Sequence, residues 1–257
     1  MLRSFSRKKW LIVFPVLLLC GLIVVIFRSI SLAAGSWVQL SLAFLPIFLC
    51  CALFLGVGLV LIQIYKKECE GSRVGYRKTI KESSPLFFGI AYLAVPLIFT
   101  YLILWMVLGI FYLIRAIPSV GQYIGSIFSF GPFLLVLGSL VLGFLSLFLL
   151  FLLAPAAAMK KELTPSLAKQ SLWQIQKNPF KVYISLLVAL IPLLVVVGIL
   201  SLAAVVTEMM YVASGVGLVV VLKWFFMMLP YCALLTPIVI FFFHFAFESH
   251  QLIWKNQ

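Results

Sequence analysis

The chain has 257 residues, of which 65% are apolar and only 10% are charged, and its mean hydropathy is +1.25. Soluble globular domains are nearer ~45–50% apolar and ~25% charged, so this composition excludes an ordinary soluble fold and predicts a membrane protein. The formal net charge of +13 would suggest nucleic-acid binding in a soluble protein, whereas in a membrane protein it suggests basic cytoplasmic loops.

The first predicted span covers residues 10–27 and follows a basic amino-terminal segment. This beginning resembles a lipoprotein signal peptide, because an apolar stretch leads to Leu19-Cys20-Gly21. The residue before such a cysteine is normally small, but Leu19 is bulky, and the apolar run continues to Phe27. We therefore expect an uncleaved first helix rather than a cleaved leader.

Five more apolar runs are long enough to cross a bilayer as helices, for which ~20 residues suffice. They cover residues 37–65, 85–114, 132–159, 181–206 and 224–247. The connection 115–131 contains Gly, Ser and Pro and is predicted to be an exposed loop. The sequence therefore predicts an all-α fold, a polytopic bundle of six helices that forms a single transmembrane domain over residues 1–257.

Basic residues lie almost entirely on one side of this topology. Sixteen of the 19 Lys and Arg residues lie at the two termini or in the polar connections 66–87 and 160–181, and the other three are Arg28, Arg115 and Lys223. Basic loops face the cytoplasm, so we expect a multi-pass protein of the bacterial inner membrane with both termini cytoplasmic. The expected partner is the lipid bilayer, with anionic headgroups at its cytoplasmic face. Nucleic acid is not an expected partner, because the topology already explains the charge.

The two polar connections repeat one pattern, 94 residues apart. Each opens with Lys-Lys-Glu and closes with a polar residue and a proline, Ser84-Pro85 in the first copy and Asn178-Pro179 in the second. Because the copies lie two spans apart, they have the same direction through the membrane. The sequence therefore predicts a parallel internal repeat of residues 37–114 and 132–206.

The second connection predicts a short amphipathic helix at the cytoplasmic interface. Thr164 supplies an N-cap hydroxyl, and Pro165 suits the first helical turn. The apolar side chains of this segment recur near one face, as an interfacial helix requires. They are Leu163, Leu167, Ala168, Leu172, Trp173 and Ile175. The first connection is less amphipathic, since glycines interrupt it, and predicts a weaker interfacial segment.

The same region resembles a known family. The residues that carry the likeness are Ala154-Pro155, Glu162, Leu167-Ala168, Ser171-Leu172-Trp173 and Lys177-Asn178-Pro179-Phe180. They resemble the six-span bacterial membrane domain that is fused to some glycerophosphodiester phosphodiesterases, and its stand-alone uncharacterised relatives. The rest of the chain is similar only in span number and spacing. The resemblance implies an all-helical inner-membrane fold and no catalysis, because the phosphodiesterase barrel has no counterpart in this chain.

Ionisable side chains are absent from the interior of the predicted spans. No Asp, Glu, Lys, Arg or His occurs in residues 11–27, 37–65, 85–114, 132–159, 182–207 and 224–243. Ion-coupled transporters and membrane-embedded hydrolases often depend on such groups. The sequence therefore assigns no catalytic residue, no cofactor and no metal ligand, and it predicts that the protein is not an enzyme. Four of the five cysteines lie in apolar runs and are expected to act as small buried hydrophobes.

The nearest approach to a polar cluster lies at the cytoplasmic end of the last span. His244 and Glu248 are one helical turn apart and could face a metal ion or a proton together. His250 lies off that face. Polar residues are also expected wherever a span ends, so ordinary interfacial polarity is the competing interpretation.

Every predicted span contains proline, which removes a backbone hydrogen bond and bends a helix. The prolines are Pro15, Pro46, Pro96, Pro155, Pro192, Pro230 and Pro237. Six kinked helices could enclose a cavity, as a transporter or a lipid-handling protein requires, although proline is common in membrane helices in general.

The function predicted from the sequence is that of a multi-pass membrane protein with a structural, partner-binding or lipid-contacting role. The alternative is a facilitator or permease for a small or amphiphilic solute. Hydroxyl side chains within the spans would decide between them, because a wet cavity lined by hydroxyls favours a permease. These side chains are Thr100, Ser139, Ser146, Ser185, Ser201 and Thr236.

Overall fold

The computed structural model describes residues 6–32, 34, 36–71, 75–76, 79–83, 89, 92, 94–117, 120–127, 130–160, 179–207 and 218–255. Its main helices are α1 (Arg7–Leu32), α2 (Ser36–Cys69), α3 (Val95–Arg115), α4 (Val120–Ile127), α5 (Gly131–Lys160), α6 (Pro179–Val206) and α7 (Leu218–Lys255). All of these except α4 are long and apolar enough to cross a membrane, and no strand occurs in the described ranges. The prediction of an all-α fold with six spans is confirmed.

Helix α2 is the centre of the bundle. In its most apolar stretch 67% of the residues are buried, against 28% or less in each of the other five spans. It packs against α1, α3, α5 and α7, while α1 and α7 also pack against each other and α6 packs against α7. We call the end of the bundle where α1 begins and α2 ends the basic end, and the other end the opposite end.

Most residues of the main buried core come from α2, α5 and α7. Residues 150–154 and 156–158 of α5 are all buried, and small alanines in this run let neighbouring helices approach closely. Gly58 of α2 faces the ring of Phe243 on α7, and a Cβ atom at Gly58 would lie 2.2 Å from Cε1 of that ring. The close contact between α2 and α7 therefore requires a residue without a side chain at position 58.

The outward faces of α3, α5 and α6 carry exposed apolar side chains. Among the most exposed are Phe99 and Leu113 on α3, Phe133 on α5, and Leu194 and Leu202 on α6. Contiguous apolar surface of this kind is unfavourable in water. It is the surface that a multi-pass protein presents to the hydrocarbon core of a bilayer.

Prolines occur inside five of the six spanning helices. Helices α1, α2, α5 and α6 contain one each, and α7 contains Pro230 and Pro237. Pro96 differs from the prediction, because it lies in the first turn of α3, where its missing N–H group is not needed. The bending of these helices stays a prediction.

The connection 115–131 is not simply a loop, and that prediction was wrong. It contains α4, whose apolar residues Val120, Ile124 and Ile127 recur at helical spacing. In the first turn of this helix, the N–H of Gly121 donates to the carbonyl of Ile117 at 2.9 Å. A Cβ atom at Gly121 would lie 2.2 Å from the carbonyl oxygen of Arg115, so only glycine fits there.

Two predictions are not decided by these helices. The interfacial helix of the second connection, with Leu163, Leu167, Ala168, Leu172, Trp173 and Ile175, lies outside the described residues. The parallel repeat also stays a prediction. The helix contacts differ between its two halves, since α2 packs against α3 whereas the main contact of α6 is with α7.

Candidate functional site

A buried ammonium group lies at the basic end of the bundle. The side chain of Lys9, near the start of α1, is 0% exposed. Its Nζ donates to Oε2 of Glu68 at 2.7 Å and lies 3.4 Å from Nε2 of His244 on α7. An unpaired charge in such a place would be strongly unfavourable, so the carboxylate of Glu68 stabilises it. One side chain thus links α1, α2 and α7.

The contact with Lys9 fixes the hydrogen-bonding role of His244. An ammonium group has three donors and no acceptor, so Nε2 of His244 must be the acceptor and the ring proton resides on Nδ1. The lone pair on Nε2 is therefore already engaged. Within the described ranges, no group of three or more His, Cys, Asp or Glu side chains is arranged to hold a metal ion.

Tyr65 joins His244 to Glu248, the pair that the sequence places on one face. Its ring stacks on that of His244 with centroids 4.1 Å apart, and its hydroxyl donates to Oε1 of Glu248 at 2.5 Å. The ammonium of Lys9 lies 5.3 Å from the centre of the same ring, within the range of a cation–π contact. His250 is buried as well, two residues beyond Glu248.

The second oxygen of Glu68 binds the first polar connection to the bundle. The hydroxyl of Tyr76 donates to Oε1 of Glu68 at 2.9 Å, and the ammonium of Lys8 lies 5.0 Å from the centre of the tyrosine ring. Burial raises the pKa of Tyr76, and the bond to Glu68 adds to this effect, so the hydroxyl keeps its proton and remains a donor. Both carboxylate oxygens of Glu68 are therefore used.

A second set of contacts holds the same connection against the end of α2. The ammonium of Lys67 donates to Oγ1 of Thr79 at 3.0 Å and to Oε2 of Glu82 at 3.1 Å. The hydroxyl of Ser83 donates to Oε1 of Gln63. Lys67 and Glu82 are 33% and 51% exposed, so their ion pair contributes little.

Most of the serine and threonine hydroxyls that the sequence singles out in the spans are bonded to their own helices. Five of the six that the sequence singled out donate to a carbonyl three or four residues earlier, at 2.6 to 3.0 Å. The bonds run from Thr100 to Pro96, Ser139 to Leu135, Ser146 to Gly143, Ser201 to Gly198 and Thr236 to Cys232. A hydroxyl bonded in this way uses its O–H donor within its own helix, so that donor is not free to bind a polar solute.

A cleft of about 480 Å³ lies toward the opposite end, between α1, α2 and α7, and the end of α6 borders it. Its volume falls within the ~300–1,000 Å³ of typical ligand pockets. The buried part of its lining consists of apolar side chains and thiols, such as Leu17, Cys20, Val25, Cys50 and Cys232. Arg28, which is exposed, is the charged side chain among the described residues that line the cleft.

Three of the thiols belong to this cleft, one from each of its principal helices. The thiol of Cys50 on α2 donates to the carbonyl of Cys20 on α1 at 3.8 Å, and Cys232 contributes from α7. Cys51 lies on another side of α2 and donates to the carbonyl of Ser146 on α5 at 3.7 Å. These four cysteines are buried, as the sequence predicts, whereas Cys69 is exposed.

Two features of the site were not predicted from the sequence. They are the ion pair of Lys9 with Glu68 and the position of Arg28 beside the cleft. Lys9 and Glu68 each lie at the end of a span, where a charge normally faces water or lipid headgroups. From the sequence, Arg28 is only one of three basic residues on the less basic side of the topology. The sequence offered no signal that would pair Lys9 with a residue 59 positions away or place Arg28 beside a cleft.

Comparison with known proteins identifies no relative of this chain. No family model, no curated protein and no solved structure matches the chain. The resemblance to the six-span domain of some glycerophosphodiester phosphodiesterases therefore stays a prediction, and a functional proposal has to be built on the two sites described above.

Proposed function

We propose that this protein is a lipid-contacting, multi-pass membrane protein without catalytic activity, in which α1, α2 and α7 form a fixed core around an apolar cleft. The cleft is the observation that carries the proposal. It is large enough for part of a ligand, and its buried lining is apolar apart from thiols. A site of this chemistry suits a hydrocarbon chain better than a hydrated solute.

The polar network around the buried Lys9 at the basic end supports a fixed core. The polar groups of Lys9, Glu68, Tyr65 and Tyr76 are engaged with one another or with α7. A network whose members are all bonded gives α1, α2 and α7 one defined arrangement. Such an arrangement fits a scaffold that presents a cleft, rather than a set of helices that move apart during transport.

The alternative function, a facilitator or permease for a small or amphiphilic solute, has less support where that solute is polar. A polar route needs side chains that point into it and are not already bonded within their own helix. Five of the six candidate hydroxyls donate to carbonyls of their own helices. The spans therefore offer few groups to replace the hydration of such a solute.

The proposed setting is a bacterial inner membrane with both termini in the cytoplasm. Support comes from the distribution of basic residues, sixteen of 19 on one side of the topology. The basic end would then contact anionic headgroups, each nearby Lys or Arg contributing roughly 1 kcal/mol. The two polar connections are proposed to lie at this surface.

Purification and reconstitution test the proposal together. After extensive washing in mild detergent, we expect mass spectrometry to find phospholipid retained by the folded protein. In proteoliposomes, we expect fluxes of glycerol, amino acids and sugars that equal those of empty liposomes. Solute flux above the empty-liposome rate, combined with no retained lipid, would contradict the proposal and favour the permease.

A further inference from the structure

The cleft has a cation at one end and a mainly apolar lining along the rest of its length. Arg28 lies one turn before the end of α1, at the rim, and Leu17 lies at the far end of the lining contributed by the same helix. At a rise of about 1.5 Å per residue, the distance along α1 from Leu17 to Arg28 is about 16 Å. One leaflet of a bilayer has a hydrocarbon thickness of about 15 Å, half of the ~30 Å core.

We propose that the cleft binds one anionic phospholipid, whose phosphate is held by Arg28 and whose acyl chain runs along α1 toward Leu17. This inference rests on the proposed function and names the ligand class of the cleft. The length of the cleft matches one leaflet, and the cation lies where the headgroup of that leaflet would be. Trp224, which lines the same rim on α7, is a residue type enriched at membrane interfaces.

The guanidinium group of Arg28 is suited to a phosphate. Its planar set of donors can form two parallel hydrogen bonds to phosphate oxygens, and such charge-assisted bonds are strong. In the described part of the chain, the salt bridges join Lys9 to Glu68 and Lys67 to Glu82, and Arg28 takes part in neither. The lipid phosphate is the complementary charge.

The headgroup, rather than the chain, gives the site its selectivity. A bilayer interior is as apolar as the cleft, so an acyl chain gains little free energy by exchanging one for the other. The gain comes from the phosphate and Arg28, and from packing against a fixed lining. The site should therefore distinguish phosphatidylglycerol from the zwitterionic phosphatidylcholine, and it should lose this preference when Arg28 is replaced.

A matched pair of charge variants tests the headgroup. Arg28→Gln and Lys223→Gln each remove one positive charge near the same end, but Lys223 does not line the cleft. In native mass spectrometry of protein in mixed micelles, we expect wild type and Lys223→Gln to retain phosphatidylglycerol over phosphatidylcholine. Arg28→Gln should lose about tenfold of that preference, as the loss of one charge-assisted contact implies. Unchanged preference in Arg28→Gln, or equal losses in both variants, would overturn the proposal.

A second pair tests the acyl chain. Val24 and Ile26 are similarly exposed on α1, at 40% and 43%, but only Val24 lines the cleft. We expect Val24→Trp to release one phosphatidylglycerol per protein by filling the cleft, and Ile26→Trp to keep it. Retention by Val24→Trp at the wild-type level would overturn the placement of the chain.

Three experimental outcomes distinguish a failure of this inference from a failure of the proposed function. Competition by inorganic phosphate as strong as that by phosphatidylglycerol would reduce the site to an anion site and overturn the lipid assignment. Equal retention of phospholipid by wild type and all four variants would overturn the lipid site in the cleft, but it would be consistent with a lipid-contacting protein. Solute flux without retained lipid would instead overturn both.

Discussion

The ammonium of Lys9 lies 2.7 Å from a carboxylate oxygen of Glu68, with the lysine side chain wholly buried and that of Glu68 22% exposed. The pair connects the first two spans at the basic end, and His244 connects it to the last span. Removing one partner from a buried pair is much more costly than replacing both. This asymmetry makes the role of the pair measurable.

Replacing Glu68 with Gln should destabilise the protein by about 3 kcal/mol, because Lys9 would remain buried without a counter-charge. Breaking a buried ion pair typically costs about 3–5 kcal/mol. We expect a loss at the low end of this range, because Glu68 is partly exposed. Lys9→Met combined with Glu68→Gln should recover much of the loss. Denaturant unfolding in detergent, followed by tryptophan fluorescence, measures the three free energies.

The control for this prediction is the exposed pair of Lys67 and Glu82. Glu82→Gln should change the free energy of unfolding by less than about 1 kcal/mol, because an exposed ion pair contributes little. Equal effects of Glu68→Gln and Glu82→Gln would show that burial of Lys9 does not matter to stability.

Replacing Gly58 with Ala should destabilise the contact between α2 and α7. The new Cβ would lie 2.2 Å from the ring of Phe243, and overpacking of a core costs about 1–3 kcal/mol. Gly143 of α5 is the matched control, because, apart from its own stretch of helix, nothing lies within 4 Å of the position of its Cβ. Gly143→Ala should be neutral or stabilising, as alanine favours a helix. Thermal unfolding compares the two, and an unchanged Tm for Gly58→Ala would contradict the close packing.

Two replacements of Tyr65 separate the roles of its hydroxyl and its ring. Tyr65→Phe removes the bond to Glu248 but keeps the stack on His244, so we expect a loss of about 1 kcal/mol. Tyr65→Leu also removes the stack and the cation–π contact with Lys9, and should cost about 1 kcal/mol more. Chemical denaturation measures both losses. Equal losses for the two variants would mean that only the hydroxyl contributes.

The spans were predictable from the sequence because each is a long, nearly uncharged apolar run, which is a local property. The short helix α4 is harder to predict, because the glycines at 121 and 125 favour a loop although its apolar residues recur at helical spacing. His244 and Glu248 were found as neighbours because one helical turn separates them. Tyr65, which joins them, comes from another helix and could not be inferred from that spacing.

Contacts between distant segments set the limit of sequence reasoning. Nothing local distinguishes Lys9 from Lys8, yet one is wholly buried and the other exposed. The difference arises only when α1 packs against α2 and α7. The cleft beside Arg28 is likewise a product of helix packing, since its lining comes from separate helices whose sequences are apolar on all sides.

The orientation of the chain can be tested with a native thiol. Cys69 is exposed at the basic end, whereas the other four cysteines are buried. A cysteine introduced at Tyr123, which is 75% exposed on α4, would report the opposite side of the membrane. If basic loops face the cytoplasm, an impermeant maleimide should label Tyr123→Cys in intact cells and leave Cys69 unlabelled until the membrane is permeabilised. Labelling of Cys69 in intact cells would reverse the orientation and place the cleft toward the cytoplasmic leaflet.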